Sequence, residues 1–187
     1  MNRRAPDNFS VKLQTTKGSI FIELHRAWAP HGGDRFYNLG ALGYYNESAI
    51  FRVIAGKWAQ FGINGNPEVA RAWRARTIPD DPRVESNVRG TVFFAFKDAN
   101  GRATQAVINL RDNSEAFDKE PFVPIGKVVK GMEVADALHS EYGEQSGGGI
   151  RGGKQDALFK EGNKYLRANY PKLDYILKAT IERKASQ

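Results

Sequence analysis

Polar side chains interrupt three segments of the sequence that are otherwise apolar. Arg52 lies in the run IFRVI, Gln60 in WAQFGI and Gln105 in TQAVINL. A guanidinium or an amide that is even partly buried needs hydrogen-bond partners. These side chains therefore either converge with one another or with a ligand, or each points to solvent from the outer face of its strand. If they converge, they form a polar patch that contains a permanently charged guanidinium with its rigid fork of donors.

The residues that other kinds of catalysis require are missing or badly spaced. The chain has no Cys, which excludes a thiolate nucleophile, a disulfide framework and a Cys-ligated metal. His25, His31 and His139 have no HExxH or paired ligand spacing, so no metal site is expected. Neither GxSxG nor a GxGxxG at a strand-to-helix turn is present. We expect redox-neutral chemistry.

The three polar segments belong to a series of short strand-like runs. Alternating apolar residues predict a first hairpin with its turn at Lys17 and Gly18, and further strands at 49–54, 58–63, 91–96, 105–110, 125–129 and 175–183. Helical spacing predicts helices over 30–42, 132–142 and 156–168. Many strands with few helices favour a mainly β fold, a closed or nearly closed antiparallel barrel or a sandwich, because other arrangements leave exposed edges.

Two segments fall outside this pattern. Residues 64–89 lose their periodicity and read as a long loop, in which Trp73, within RAWRAR, either packs against the core or contacts a ligand. The glycine run at 147–149, followed by Gly152 and Gly153, reads as a flexible connection. A phosphate loop is not expected there, because no strand precedes it and no Gly-Lys-Ser/Thr follows.

Length and composition favour a single globular domain over residues 1–187. No run approaches the ~20 apolar residues of a membrane span, and the N-terminus has no apolar signal region. We therefore expect no membrane contact and a cytoplasmic location for the chain as written, or a periplasmic or secreted one if a signal peptide was removed. A monomer is the default expectation.

The net charge of +7 is concentrated near the C-terminus, where residues 151–187 contain nine Lys or Arg against four acids. Such a stretch is either a solvated basic face or a contact for an anionic partner such as RNA. Base stacking would require aromatic residues between the arginines, and only Trp73 is so placed. Nucleic acid is therefore the less favoured partner.

Several longer runs resemble the cyclophilin family of peptidyl-prolyl cis-trans isomerases. They are IFRVIAGKWAQFGINGNP, GTVFFAF, TQAVINLRDNSEAFD and PIGKVVKGMEVADAL, while TTKGSIFIELHRAWAPHGGDRFYNL resembles the first hairpin and helix of that family. The likeness covers about residues 10–182, and the long C-terminal segment is similar to a bacterial-type branch. The resemblance implies a closed eight-stranded antiparallel β-barrel capped by α-helices, with the proline site on its outer face.

The resemblance also implies roles for the polar residues. Arg52 matches the catalytic arginine of the family and Gln60 the glutamine that supports it. Gln105 matches the second glutamine of the pocket, and Ala95 the small residue whose backbone pairs with the bound peptide. All four positions are intact.

The apolar half of the implied pocket departs from the family. Its Phe-Met pair is Lys57 and Trp58 here, and the residue after the small one is not Asn. If the Lys57 side chain points inward, it places a cation beside Arg52, and if it points outward the pocket loses a wall. Burial of a proline ring is non-directional, so other apolar side chains can supply the surface. The substrate-binding residues expected besides Ala95 and Gln105 are Trp58, Phe96, Val107, Phe117 and Phe122, whereas Ala116 stands where a Trp or Leu is common.

A cyclophilin of this kind would catalyse rotation about Xaa-Pro bonds in proline-containing polypeptides, assist protein folding and need no cofactor. Two alternatives remain open. The changes at Lys57, Val107 and Phe122 favour a cyclophilin-like module that binds proline peptides without catalysis. The basic balance favours a polyanion-binding protein, which is the weaker alternative.

Overall fold

The computed structural model describes residues 3–182, and its strands form one antiparallel sheet. The strands are β1 (Asn8–Thr15), β2 (Gly18–His25), β3 (Ser48–Ala49), β4 (Arg52–Ile54), β5 (Trp58–Phe61), β6 (Thr91–Phe94), β7 (Ala106–Asn109), β8 (Pro124–Lys130) and β9 (Tyr175–Glu182). The helices are α1 (Pro30–Ala41), α2 (Pro67–Arg74), α3 (Ser114–Phe117), α4 (Met132–Asp136), α5 (Asp156–Glu161) and α6 (Asn163–Asn169). Ile150–Gly152 form one 3-10 turn. The mainly β class is confirmed, whereas the expectations for residues 1, 2 and 183–187 lie outside the described residues.

The sheet curls so that both of its edges belong to one short piece of chain. Its strand order is β3-β9-β1-β2-β8-β6-β7-β5-β4, and the two edge strands lie within residues 48–54. The expected strand over 49–54 is broken because the Ile50 amide donates to the Asp174 carbonyl, while Ile50 and Phe51 are buried in different apolar clusters. The expectation of eight strands in a closed barrel was wrong. Residues 3–182 contain nine strands, and no ladder joins β3 to β4.

The main core lies on the inner face of the curled sheet. The first hairpin, whose register pairs Thr15 with Gly18, directs every second residue inward, including Val11 and Ile22. Helix α1 adds Phe36 and Leu39, which are fully buried. The alternation in the sequence therefore predicted the correct inward face.

Three helix predictions need correction. The long loop expected over 64–89 contains α2, which begins at Pro67 after the Asn66 side chain caps it. The helix predicted over 132–142 ends at Asp136. The helix predicted over 156–168 is divided into α5 and α6 at Gly162, whose φ of +59° does not belong to an α-helix.

Trp73 of α2 packs against the core rather than lining the candidate site described below. Its ring meets Tyr44 with the centroids 5.7 Å apart, and the guanidinium groups of Arg35 and Arg76 lie 5.5 and 5.6 Å from its centroid. The packing role for this side chain is confirmed. Among the helices of residues 3–182, none combines the length and the apolar character that a membrane crossing requires.

Candidate active site

A second apolar cluster covers the outer face of β6 and β7. Val92 and Phe94 of β6 point into the main core, whereas Phe93, and Ala95 just after the strand, point outward. Val107 of β7 pairs with Phe93 and joins the outer cluster. Both faces of β6 and β7 are buried, so side chains from other segments must pack against the outer face. These side chains and the outer face together form the candidate site.

The outer cluster surrounds a cavity of about 200 Å³. Eight of the predicted site residues line it, namely Arg52, Trp58, Gln60, Ala95, Phe96, Val107, Phe117 and Phe122. Gln105 does not line it. This glutamine lies behind Gln60 and lines a neighbouring cavity.

A chain of polar contacts runs along one side of the cavity. The antiparallel register places Arg52 of β4 opposite Gln60 of β5, and Arg52 Nη1 donates to Gln60 Oε1 at 3.0 Å. Gln60, only 1% exposed, donates from Nε2 to Gln105 Oε1 at 2.8 Å. Gln105 in turn exchanges two hydrogen bonds with Gln155, at 2.8 and 2.9 Å. The side chains of Arg52, Gln60 and Gln105 therefore converge, and they do not each point to solvent from the outer face of a strand.

Aromatic rings form the apolar walls of the cavity. The Phe122 ring centroid lies 4.8 Å from that of Phe117, 4.9 Å from that of Phe93 and 5.1 Å from that of Phe96. Trp58 faces Phe117 at 5.6 Å on the other side. The apolar half of the pocket, although its residues differ from those of the family, is thus a continuous surface.

Lys57 and Ala116 lie outside this surface. Both are exposed, and neither lines the cavity. The Lys57 backbone is held in place, since its carbonyl accepts hydrogen bonds from the Leu110 amide at 2.9 Å and from Asn113 Nδ2 at 3.0 Å. Its side chain therefore neither plugs the pocket nor faces Arg52 from within, and Trp58 supplies the wall.

Four lining residues were missed in the sequence. Phe93 could have been found, because it shares its strand face with Ala95. Gly149, Ile150 and Arg151 come from the glycine-rich run, which resembled a flexible connection. That run packs over the site instead, with Ile150 against the outer cluster and the Arg151 guanidinium 4.8 Å from the Phe96 ring centroid.

Glu144 is the other functional candidate that the sequence did not reveal. Its carboxylate accepts from Arg52 Nε, with both oxygens at 3.0 Å, and from Arg52 Nη2 at 2.6 Å. The hydrogen bond from Arg52, supported by the Gly149 amide, holds the pKa of Glu144 below its ordinary value despite partial burial. Glu144 is therefore ionised at neutral pH.

The polar groups of the site are hydrogen-bond donors and one cation rather than a cluster of metal ligands. In the part of the chain that is described, no group of three or more His, Cys, Asp or Glu residues could hold a metal. What the arrangement offers is an oriented cation, Arg52, at the edge of an apolar cavity.

Comparisons with known proteins agree with this arrangement. A family profile described as "Cyclophilin type peptidyl-prolyl cis-trans isomerase/CLD" matches residues 10–155. The chain is 31% identical to peptidyl-prolyl cis-trans isomerase A of Dickeya dadantii, over 73% of this chain and 74% of the relative. It is 32% identical to peptidyl-prolyl cis-trans isomerase-like 3 of Neurospora crassa, over 68% and 77%.

The fold has solved counterparts as well. A crystal structure of a cyclophilin-type peptidyl-prolyl cis-trans isomerase from Cryptosporidium parvum superposes with a TM-score of 0.68, covering 95% of this chain and 99% of that one at 18% identity. A second crystal structure of that protein, in the presence of the dipeptide Ala-Pro, gives a TM-score of 0.66 at 19% identity. With the profile and the two relatives, these matches confirm the resemblance seen in the sequence and place the chain in the family of cyclophilin-type peptidyl-prolyl cis-trans isomerases.

Proposed function

We propose that Arg52 is the catalytic residue of this isomerase and that the adjoining cavity holds the proline ring of a polypeptide substrate. The observation that carries the proposal is the position of the guanidinium at the rim of the apolar cavity, where its Nη1 donates to the buried Gln60. The resulting activity would serve the folding of proline-containing polypeptides.

The chemistry needs a donor rather than a nucleophile. Resonance opposes rotation about a peptide bond with a barrier of about 18–20 kcal/mol, and Xaa-Pro bonds populate both isomers. Twisting the bond removes conjugation and localises a lone pair on the prolyl nitrogen. A donor aimed at that nitrogen stabilises the twisted state more than either planar state, which lowers the barrier.

Arg52 has donors left for this task. Gln60 and Glu144 together engage Nη1, Nε and one hydrogen of Nη2. Among contacts within residues 3–182, one hydrogen on each Nη atom lacks an acceptor. The side chain is only 17% exposed, so its field is less screened than that of a surface arginine.

The walls around Arg52 suit a proline ring. Phe93, Val107, Phe117 and Phe122 give apolar surface whose burial is worth ~25 cal/mol per Å². The Ala95 amide donates to the Gln105 carbonyl at 2.9 Å. A substrate backbone that pairs with Ala95 would therefore donate an N–H to the Ala95 carbonyl oxygen. The solved relative crystallised with Ala-Pro supports a dipeptide-sized ligand for this fold.

The experiment compares Arg52→Ala with Lys57→Ala in exchange NMR on one Xaa-Pro peptide at catalytic protein concentration. We expect Arg52→Ala to lower kcat/KM by about 10²–10³, the cost of one preorganised donor, with the fold retained. Lys57→Ala removes a nearby cation outside the cavity and should leave the rate unchanged. Equal turnover by Arg52→Ala and the parent would remove Arg52 from the mechanism, and peptide shifts without exchange in the parent would indicate a binding module.

A further inference from the structure

We propose that Glu144 is a positioning residue of this isomerase, which holds Arg52 so that its free N–H groups face the proline site. The inference rests on the proposed role of Arg52. It assigns a function to the segment 144–155, hereafter the cover segment, which the sequence alone presents as a glycine-rich connection.

The contact between the two side chains is bidentate. Glu144 accepts from Nε and Nη2, which form one edge of the guanidinium plane. Gln60 accepts from Nη1. A planar group held by two partners has a fixed orientation, and side-on carboxylate pairing is the geometry that the fork of an arginine matches best.

Gln60 by itself leaves Arg52 free to turn. One hydrogen bond to Nη1 allows the guanidinium to rotate about that contact, and the rings of Trp58 and its neighbours offer no second acceptor. An arginine side chain loses rotamer entropy when it is held in one orientation. A fixed carboxylate removes this freedom before the substrate binds. Arg52 is then already oriented when the Xaa-Pro bond rotates.

The cover segment is itself fixed on the site. Ser146 Oγ donates to the carbonyl oxygen of Phe51, the residue before Arg52, at 2.5 Å. Gln155 at the far end bonds to Gln105 and donates to the Gly148 carbonyl at 3.2 Å. The Glu144 side chain is 48% exposed, and an exposed ion pair by itself contributes little. What distinguishes this pair is that Glu144 lies on a segment fastened next to β4 and to the polar network.

Glycine at position 149 allows this close approach. A Cβ at that position would lie 3.3 Å from Arg52 Cζ and Nη1. The backbone of the cover segment thus lies against the guanidinium, and the cation is enclosed by Glu144, Gln60, Gly149 and the Trp58 ring, whose centroid is 5.1 Å away.

The test uses the full chain and five variants in the same NMR exchange assay, with kcat and KM determined separately. Glu144→Ala removes the carboxylate, and Glu144→Gln keeps its shape in case the first variant folds poorly. Glu141→Ala is the matched control, because Glu141 pairs with the exposed Lys172 at 3.1 Å and lies outside the site. Arg52→Ala, alone and combined with Glu144→Ala, completes a double-mutant cycle.

We expect Glu144→Ala to lower kcat about tenfold with little change in KM, as loss of a partner that orients a functional side chain does. Glu144→Gln should lie between this variant and the parent, and Glu141→Ala should equal the parent. In the Arg52→Ala background, Glu144→Ala should have no further effect, because Glu144 acts through Arg52.

Two results overturn the inference in distinguishable ways. Suppose that Arg52→Ala loses activity while Glu144→Ala and Glu144→Gln match or exceed the parent. The carboxylate then has no effect on the rate or lowers it, and only the proposed role of Glu144 fails. If Arg52→Ala keeps full activity, the proposed function of Arg52 fails and the role of Glu144 fails with it.

Discussion

At the scale of single residues, Gln60 links the catalytic candidate to the rest of the sheet. Its oxygen accepts from Arg52 and its nitrogen donates to Gln105, so one buried amide satisfies both neighbours. A buried amide with both ends bonded has one orientation, and it gives Arg52 Nη1 an acceptor at a fixed position. The amide therefore supports the geometry proposed for Arg52, in addition to its place in β5.

Gln60→Leu should separate these two contributions. It keeps a similar volume but removes the acceptor of Arg52 Nη1, and we expect kcat/KM to fall about tenfold. The fold should persist, because Gln105 Oε1 still accepts from Gln155. Gln14→Leu, on the exposed side of β1, is the control and should keep full activity. The measurement is Xaa-Pro exchange together with urea unfolding, and an unchanged rate in Gln60→Leu would show that Arg52 needs no support from this amide.

The sequence identified those site residues that are polar but lie in apolar strands. Arg52, Gln60 and Gln105 stand out because an apolar strand must satisfy each of them. Glu144 does not stand out, since a carboxylate in a glycine-rich segment looks like any solvated side chain. Its partner is 92 residues away, and only the fold brings the two together.

At the scale of elements, local sequence patterns predicted where strands and helices lie better than where they are broken. The alternation in β6 and β7 identified both strands, but the break between β3 and β4 depends on Asp174, far along the chain. Helix α2 had a local signal that was available: Asn66 caps it by accepting from the Glu68 amide at 2.9 Å, with Pro67 next in sequence. The loss of periodicity over 64–89 predicts a loop instead.

The cover segment allows a prediction at this scale. Gly149 has φ −73° and ψ 158°, values that alanine adopts without strain, so Gly149→Ala acts only by pressing a methyl group on the Arg52 guanidinium. We expect kcat/KM to fall by up to about tenfold, because a small displacement of a positioned group is costly. Thermal unfolding should be unchanged.

Gly152→Ala is the matched control for that variant. A Cβ at Gly152 would meet no atom within 4 Å, although the residue lies only three positions further along the same segment. Its activity should equal that of the parent. Equal losses in both variants, or a loss in neither, would show that the approach of the segment to Arg52 has no part in the rate.

At the scale of the whole molecule, the arginines of one basic patch make internal contacts. In the RAWRAR patch, Arg71 Nη1 donates to the Phe159 carbonyl at 2.9 Å, and the Arg74 guanidinium lies 4.1 Å from the Phe159 ring centroid. Arg76 lies over Trp73. These arginines attach α2 to α5 and to the core, which favours a structural role for the patch over an RNA contact.

Asp34 of α1 connects the N-terminal segment and the first hairpin to the helix. Its carboxylate accepts from the Ala5 amide at 2.8 Å and from Arg26 Nε and Nη2 at 2.8 and 3.1 Å. Burial by itself would raise the pKa of Asp34, but the hydrogen bonds from Arg26 and Ala5 outweigh it and lower that pKa below the ordinary value. The folded state thus binds this proton less tightly than the unfolded state.

The sign of the pH dependence follows from this difference. A depressed folded pKa contributes stability that is present above the ordinary aspartate value, about 3.9, and is lost as the pH falls through the lowered value. Asp34→Asn should therefore lower the free energy of unfolding by about 1–2 kcal/mol near neutral pH, and its deficit relative to the parent should shrink at about pH 3. Urea unfolding at both pH values measures this difference, with Asp7→Asn as the control, because Asp7 is 77% exposed in its pair with Arg4 and should shift stability by less than about 0.5 kcal/mol. A deficit of the same size at both pH values would mean that the charge of Asp34 does not hold the N-terminal segment to the helix.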